Sequence, residues 1–333
     1  MKYFVTGVAG FLGSHLAEKL INDGHKIVGC DNLAGGYLDN VPEGVEFHEA
    51  DCADNKKMLK LMEGVDVVYH CAAHAHEGLS IFSPHYITSN TFGTAMSVIS
   101  AALASRVKRF VLCSSASRYG AIKTPFTEDM LPKPQDPYGI AKYASDLALI
   151  ELATTHKMEY SIAVPHNIIG PRQKYDDPYR NVASIFINRM LQGKPPIIYG
   201  DGLQERSFSF ISDVVIPMVK MGTTPEASGE IINVGPDRNA TTIIELAKTV
   251  AKLTDFKGEF IYIPERPREV KVTNCSADKA RKLLGYDATK DLREGLEEMV
   301  DWIKKKGVKP FKYVLPIEIA SPLLPITWRE KQI

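Results

Sequence analysis

Near the start of the chain, Tyr3-Phe4-Val5-Thr6-Gly7-Val8-Ala9-Gly10-Phe11-Leu12-Gly13-Ser14-His15-Leu16 joins a short apolar run, three glycines at every third position, and the start of a helix. Leu12, Leu16 and Leu20 recur at helical spacing until Asp23-Gly24 ends the helix. In such a turn Gly7 permits the tight reversal, Gly10 lets a pyrophosphate approach the backbone, and Gly13 lets the helix sit close to a sheet. A second strand follows over 26–30 and ends at Asp31, whose carboxylate can accept both hydroxyls of an adenosine ribose and would repel a 2′-phosphate. Strand, glycine turn, amphipathic helix and acidic residue together indicate a dinucleotide site that takes NAD rather than NADP.

Farther along, strands over 45–48, 65–71, 109–113 and 159–163 alternate with helices over 55–62, 84–105 and 137–156. That rhythm predicts a doubly wound parallel sheet of Rossmann type, covered by helices on both faces. After Pro165, prolines at 171, 178, 195 and 196 interrupt it. The expected organisation is therefore an NAD-binding domain over 1–165, rejoined by a segment near 207–235, and a smaller α/β substrate region over 166–309. A tail over 310–333 should lie extended on the surface, because four prolines forbid regular helix. Within 291–306, Leu292, Leu296, Met299, Val300 and Ile303 mark the buried face of an amphipathic helix that ends in three solvated lysines.

Forty basic and forty acidic side chains give the 333-residue chain a formal net charge of +0, so it has no overall field to hold nucleic acid or an anionic membrane. Five widely spaced cysteines without a Cys-x-x-Cys pair read as reduced core thiols, with no disulfide framework and no metal site. The apolar run before Gly7 is too short for a secretory signal, and no stretch is long enough to span a membrane. A soluble, cytoplasmic protein is expected.

A second constellation lies at 138–142, where Tyr138 and Lys142 share one helical face. Free tyrosine, with a pKa of about 10, is about one part in a thousand ionised at pH 7, so using it as a base takes about 4 kcal/mol from nearby positive charge. Lys142 and a nicotinamide ring are the candidate sources. Just after the strand at 109–113, Ser114, Ser115 and Ser117 place hydroxyls at the sheet's carboxyl edge, where ligands bind.

With these residues in view, the chain resembles the extended short-chain dehydrogenase/reductase family over nearly its whole length, specifically the nucleotide-sugar epimerases and dehydratases. The resemblance implies Ser115, Tyr138 and Lys142 as the catalytic residues. It places NAD on Gly7, Gly10, Phe11, Leu12 and Gly13, on Asp31 and Asn32, and on Asp51 and Cys52 at the adenine. Cys71, Ala72, Ala73, Asn90 and Pro165, with Tyr138 and Lys142, complete that set. For the nucleotide sugar it implies His76, Glu77, Ser115, Ser117, Asn167, Asn181 and Val182, with Arg206 and Arg266 on the diphosphate. Glu269 adjoins the second arginine, and Thr273 falls where 4-epimerases gate bulk at the sugar C2 substituent.

The chain departs from the family pattern in places. Ala116-Ser117 stands where the 4,6-dehydratases carry Asp-Glu and decarboxylating relatives a carboxylate, and Ile169 replaces a usual tyrosine. Relatives that epimerise C3 and C5 have a cysteine at the place of Ser117. His74, His76 and Glu77 form the one local cluster that could supply acid–base groups for C5 chemistry. The resemblance thus implies an NAD-dependent nucleotide-sugar 4-epimerase, acting through a transient 4-keto sugar and working as a homodimer. A dehydratase or C4 oxidase is the alternative, and a catalytically silent NAD-binding protein a remote one.

Overall fold

The computed structural model describes residues 1–238, 240–266 and 271–333. Strands β1 (Lys2–Thr6), β2 (Lys26–Asp31), β3 (Val45–Glu49), β4 (Val67–His70), β5 (Arg109–Cys113) and β6 (Glu159–Pro165) pair in parallel, and Glu230–Val234 adds an edge strand beside β6. The order across the seven-stranded sheet is Glu230–Val234, β6, β5, β4, β1, β2, β3. Nearly every residue of β1, β4 and β5 is buried, as expected of parallel strands covered on both faces.

Helices α1 (Phe11–Asn22), α2 (Asn55–Leu61), α3 (Glu77–Ser80), α4 (Pro84–Thr88), α5 (Thr94–Ala104) and α6 (Pro137–His156) follow the first strands. Beyond them come α7 (Val182–Leu191), α8 (Ile211–Met221), α9 (Ile243–Thr254), α10 (Asp278–Leu284), α11 (Leu292–Lys306) and α12 (Ile326–Arg329). Met58, Val98, Ile99 and Leu149 from α2, α5 and α6 fill one face of the sheet. Leu16 and Leu20 of α1 meet Val214, Met218 and Met221 of α8 on the other. The chain therefore returns to the sheet after 207, through α8 and the edge strand. α7, α9 and α11 close a third core around Phe186, Leu246, Leu296 and Val300.

β1 lies between β2 and β4, so successive connections leave it in opposite directions and open a crevice at its carboxyl end. β4 stops at His70, short of the expected Cys71, because the Cys71 and Ala72 N–H groups both turn to the Thr6 hydroxyl at 3.1 Å. The single helix expected over 84–105 is split by a π-helical stretch, Ser89–Gly93. There the Asn90 side chain donates to the Tyr86 carbonyl at 2.8 Å and competes for an acceptor of the helical ladder.

The tail also differs from expectation. It is irregular as far as Pro325, but Leu315, Leu324, Thr327 and Trp328 are buried, and α12 folds back onto the protein. Apolar side chains in this segment find a site to cover despite the prolines. All five cysteines are free, and four are buried. Among the described residues no helix is long and apolar enough to cross a membrane.

Candidate active site

A cleft of about 480 Å³ runs from the carboxyl edge of the sheet to the smaller lobe. At one end lies the glycine turn. Gly7 has φ +69°, and a Cβ on Gly13 would stand 2.2 Å from the Gly7 carbonyl oxygen, so this crossing of helix and strand admits no side chain. No side chain caps α1, whose N-terminus opens on the cleft. Asp31 is buried and accepts the Ala9 N–H at 3.0 Å and the Leu33 N–H at 2.7 Å. Burial raises its pKa, while these backbone donors pull the other way. Asn32 bonds Asp51 at 3.2 Å, and with Ala50 and Cys52 they line the far end of the cleft. Phe11, Leu12, Cys71, Ala72, Ala73, Asn90 and Pro165 all face the same cavity. These features fit a dinucleotide: a turn that a Cβ would fill, a helix N-terminus for its phosphates, and a carboxylate held for its ribose.

Midway, Tyr138 occupies the first turn of α6, whose N-cap Asp136 accepts the Gly139 N–H at 2.9 Å. The phenol is 3% exposed and is pushed well above its usual pKa, first by burial and then by the charge of Glu77. A hydrogen bond with Ser115 and the charge of Arg180 act in the opposite direction. Lys142, also buried, donates to the Cys113 carbonyl at 2.7 Å, with its ammonium 5.8 Å from the Tyr138 ring centre. That bond uses one of the three ammonium protons, so two donors and the positive charge remain beside Tyr138.

Ser117 reaches the centre indirectly. Its hydroxyl bonds Ser115 at 3.3 Å and donates to Glu77 at 2.6 Å. The carboxylate absent from positions 116 and 117 is thus delivered through space by α3. His76 bonds Asp177 at 2.9 Å, and both are buried. Burial lowers the His76 pKa, while the hydrogen bond and charge of Asp177 act in the opposite direction. His76 lines the cleft; its Nε2 is engaged by Asp177, and its Nδ1 has no hydrogen-bond partner among the described residues.

Toward the smaller lobe, Asn167 and Asn181 line the cleft in left-handed backbone conformations, φ +38° and +33°. Asparagine tolerates that region, and the Asn181 side-chain Oδ1 caps α7 by accepting the Ala183 N–H at 3.0 Å. Val182, Arg206 and Arg266 also line it, and the Arg266 guanidinium stacks 4.6 Å above the Tyr199 ring centre. Glu269 lies outside the described residues. Thr273 is not among the described residues that line the cleft; it sits behind Asn167, 3.4 Å from its amide. Reading the sequence passed over Asp177 and Arg180, whose only signal was a charge pair three residues apart in a proline-rich loop, and Trp328 in the tail.

A dinucleotide cradle joined to a buried Tyr-Lys helix at one sheet edge defines the short-chain dehydrogenase/reductase class in its extended form. The chain belongs to the NAD dependent epimerase/dehydratase family, whose profile matches residues 3–235. It is 33% identical over 310 residues to a putative UDP-glucose 4-epimerase of Methanocaldococcus jannaschii, covering 91% of this chain and 98% of that protein. Among solved structures it is similar to the UDP-glucose 4-epimerase of Thermotoga maritima with UDP-glucose, at TM-score 0.87 and 30% identity over 92% of this chain and 99% of that one. The UDP-glucuronic acid 4-epimerase of Bacillus cereus, in complex with UDP-glucuronic acid and NAD, gives TM-score 0.85 and 29% identity over 92% and 100%.

Proposed function

We propose that the protein is an NAD-dependent nucleotide-sugar 4-epimerase whose substrates are UDP-hexoses. The observation that carries this reading is the buried Tyr138, hydrogen-bonded with Ser115 where the dinucleotide and sugar ends of the cleft meet. Bound NAD supplies a reversible acceptor for the C4 hydride, so none is consumed. Tyr138 takes the proton of the 4-hydroxyl and Ser115 hydrogen-bonds that oxygen. Lys142 holds the ribose and contributes positive potential. After the 4-keto sugar turns over in the cleft, C4 regains the hydride on its other face and Tyr138 returns the proton to the C4 oxygen. Asn167, Asn181, Arg206 and Arg266 hold the diphosphate and sugar, the arginines through paired N–H donors.

Family resemblance supports a homodimer in carbohydrate metabolism, including polysaccharide biosynthesis, and five unpaired thiols fit the reducing cytoplasm. Dehydration is the second reading, favoured by the Glu77 carboxylate on Ser117.

Tyr138→Phe tests the assignment. The variant should fold and bind NAD but lose about 10²–10⁴-fold in UDP-glucose turnover, because only the proton-transfer group goes. Near-normal turnover would remove Tyr138 from the mechanism.

A further inference from the structure

The tail lies beyond the family match, which ends at residue 235, and the proposed mechanism gives it no part. It is fastened to both sides of the cleft. On the smaller lobe, the Lys312 N–H donates to the Asp176 carbonyl at 2.8 Å, and Arg189 donates to the Gln332 carbonyl at 3.0 Å. Thr327 and Tyr199 share a hydrogen bond of 2.5 Å. On the sheet side, the Glu318 and Ile319 N–H groups donate to the Phe82 carbonyl at 3.0 and 2.9 Å, and the Ser83 hydroxyl donates to the Pro316 carbonyl. The Glu318 carboxylate accepts the His85 and Tyr86 N–H groups at 2.9 and 2.8 Å, which occupies donors at the start of α4.

Its apolar side chains are buried at the site rather than in the cores of the lobes. Leu315, Leu324 and Trp328 share one cluster with Tyr138, Leu79, Phe82 and Tyr179, and no tail residue belongs to the three larger cores. Trp328 packs edge-on against Tyr179 and Phe82, with ring centres 5.3 and 6.3 Å away. A Cβ on Gly78 would lie 3.2 Å from the indole, so the residue after Glu77 rests directly on it. Trp328 and Ile333 line the cleft themselves.

We propose that the segment 310–333 is a strap that completes the substrate end of the cleft, with Trp328 as a wall against which the sugar of a nucleoside diphosphate sugar is held. The chemical class of that ligand rests on the function proposed above. Aromatic faces suit the C–H side of a hexose, and a rigid indole contributes contact area with little loss of conformational freedom.

The test uses the full-length NAD-loaded protein and its Trp328→Ala and Trp328→Phe variants, with UDP-glucose as substrate and UDP as a ligand lacking the sugar. Trp328→Ala should raise the UDP-glucose KM about tenfold, leave UDP and NAD affinities within about twofold, and be largely rescued by phenylalanine. An unchanged UDP-glucose KM in a folded Trp328→Ala protein overturns the strap. So does an equal loss of UDP-glucose and NAD affinity, which a merely structural role would produce. Wild-type protein that binds UDP-glucose without epimerising it refutes the function alone, and calorimetric affinities then replace KM in the comparison. Wild-type protein that binds neither UDP-glucose nor UDP refutes both.

Discussion

At the scale of single residues, Tyr138 and Glu77 oppose each other. A tyrosine that works as a base needs its phenolate, yet burial and the Glu77 charge both raise its pKa here. Glu77→Gln removes one of these influences, so the folded phenol should ionise more easily. The acid limb of kcat/KM should then move to lower pH, read from a pH profile of UDP-glucose turnover. A limb that stays put, or moves upward, would show that Glu77 does not act on the phenol. Spacing and strand position singled out Tyr138, Lys142 and the serines after β5, while the catalytic roles of Ser115, Tyr138 and Lys142 came from the family resemblance. The Glu77–Ser117 bond was not, because it joins α3 to the turn after β5 across 40 positions of sequence. The His76–Asp177 pair spans 101 positions and was hidden for the same reason.

Among the elements, α1 and its glycine turn were readable because strand, turn and helix are adjacent in sequence and each glycine has its own steric reason. Gly13→Ala tests that reason. Its methyl would have to displace the Gly7 carbonyl oxygen, 2.2 Å from the ideal position, and so push α1 off β1. Overpacking of this kind costs about 1–3 kcal/mol, measurable by urea denaturation, and should weaken NAD binding in the same protein. Unaltered stability and NAD affinity would contradict the close crossing of α1 and β1. The break in the helix over 84–105 carried only a weak signal, the poor helix formers Ser89, Asn90, Thr91 and Gly93, and the bond of the Asn90 side chain to a ladder carbonyl was not legible. The buried end of the tail was missed because prolines forbid helix without forbidding burial, and Trp328 finds its partners more than 100 positions away.

For the whole molecule, the sheet and the smaller lobe place a dinucleotide cradle, a buried tyrosine and two arginines along one cleft, and the reaction class depends on what happens at C4 and C5 of the sugar. Epimerisation at C4 alone carries a hydride out and back without breaking any C–H bond to solvent. Dehydration and 3,5-epimerisation both ionise C5 and exchange its hydrogen with water. Glu77 is the carboxylate best placed for such a step, yet its bond to Ser117 sets it beside the Tyr138 centre without assigning it a carbon. The deciding measurement is turnover of UDP-glucose in deuterium oxide by the NAD-loaded protein, with the product followed by NMR and mass. The account predicts UDP-galactose with unlabelled sugar carbons and no net NADH. Deuterium at C5, or a product lighter by one water, would contradict it and make Glu77 the acid–base group of a different reaction.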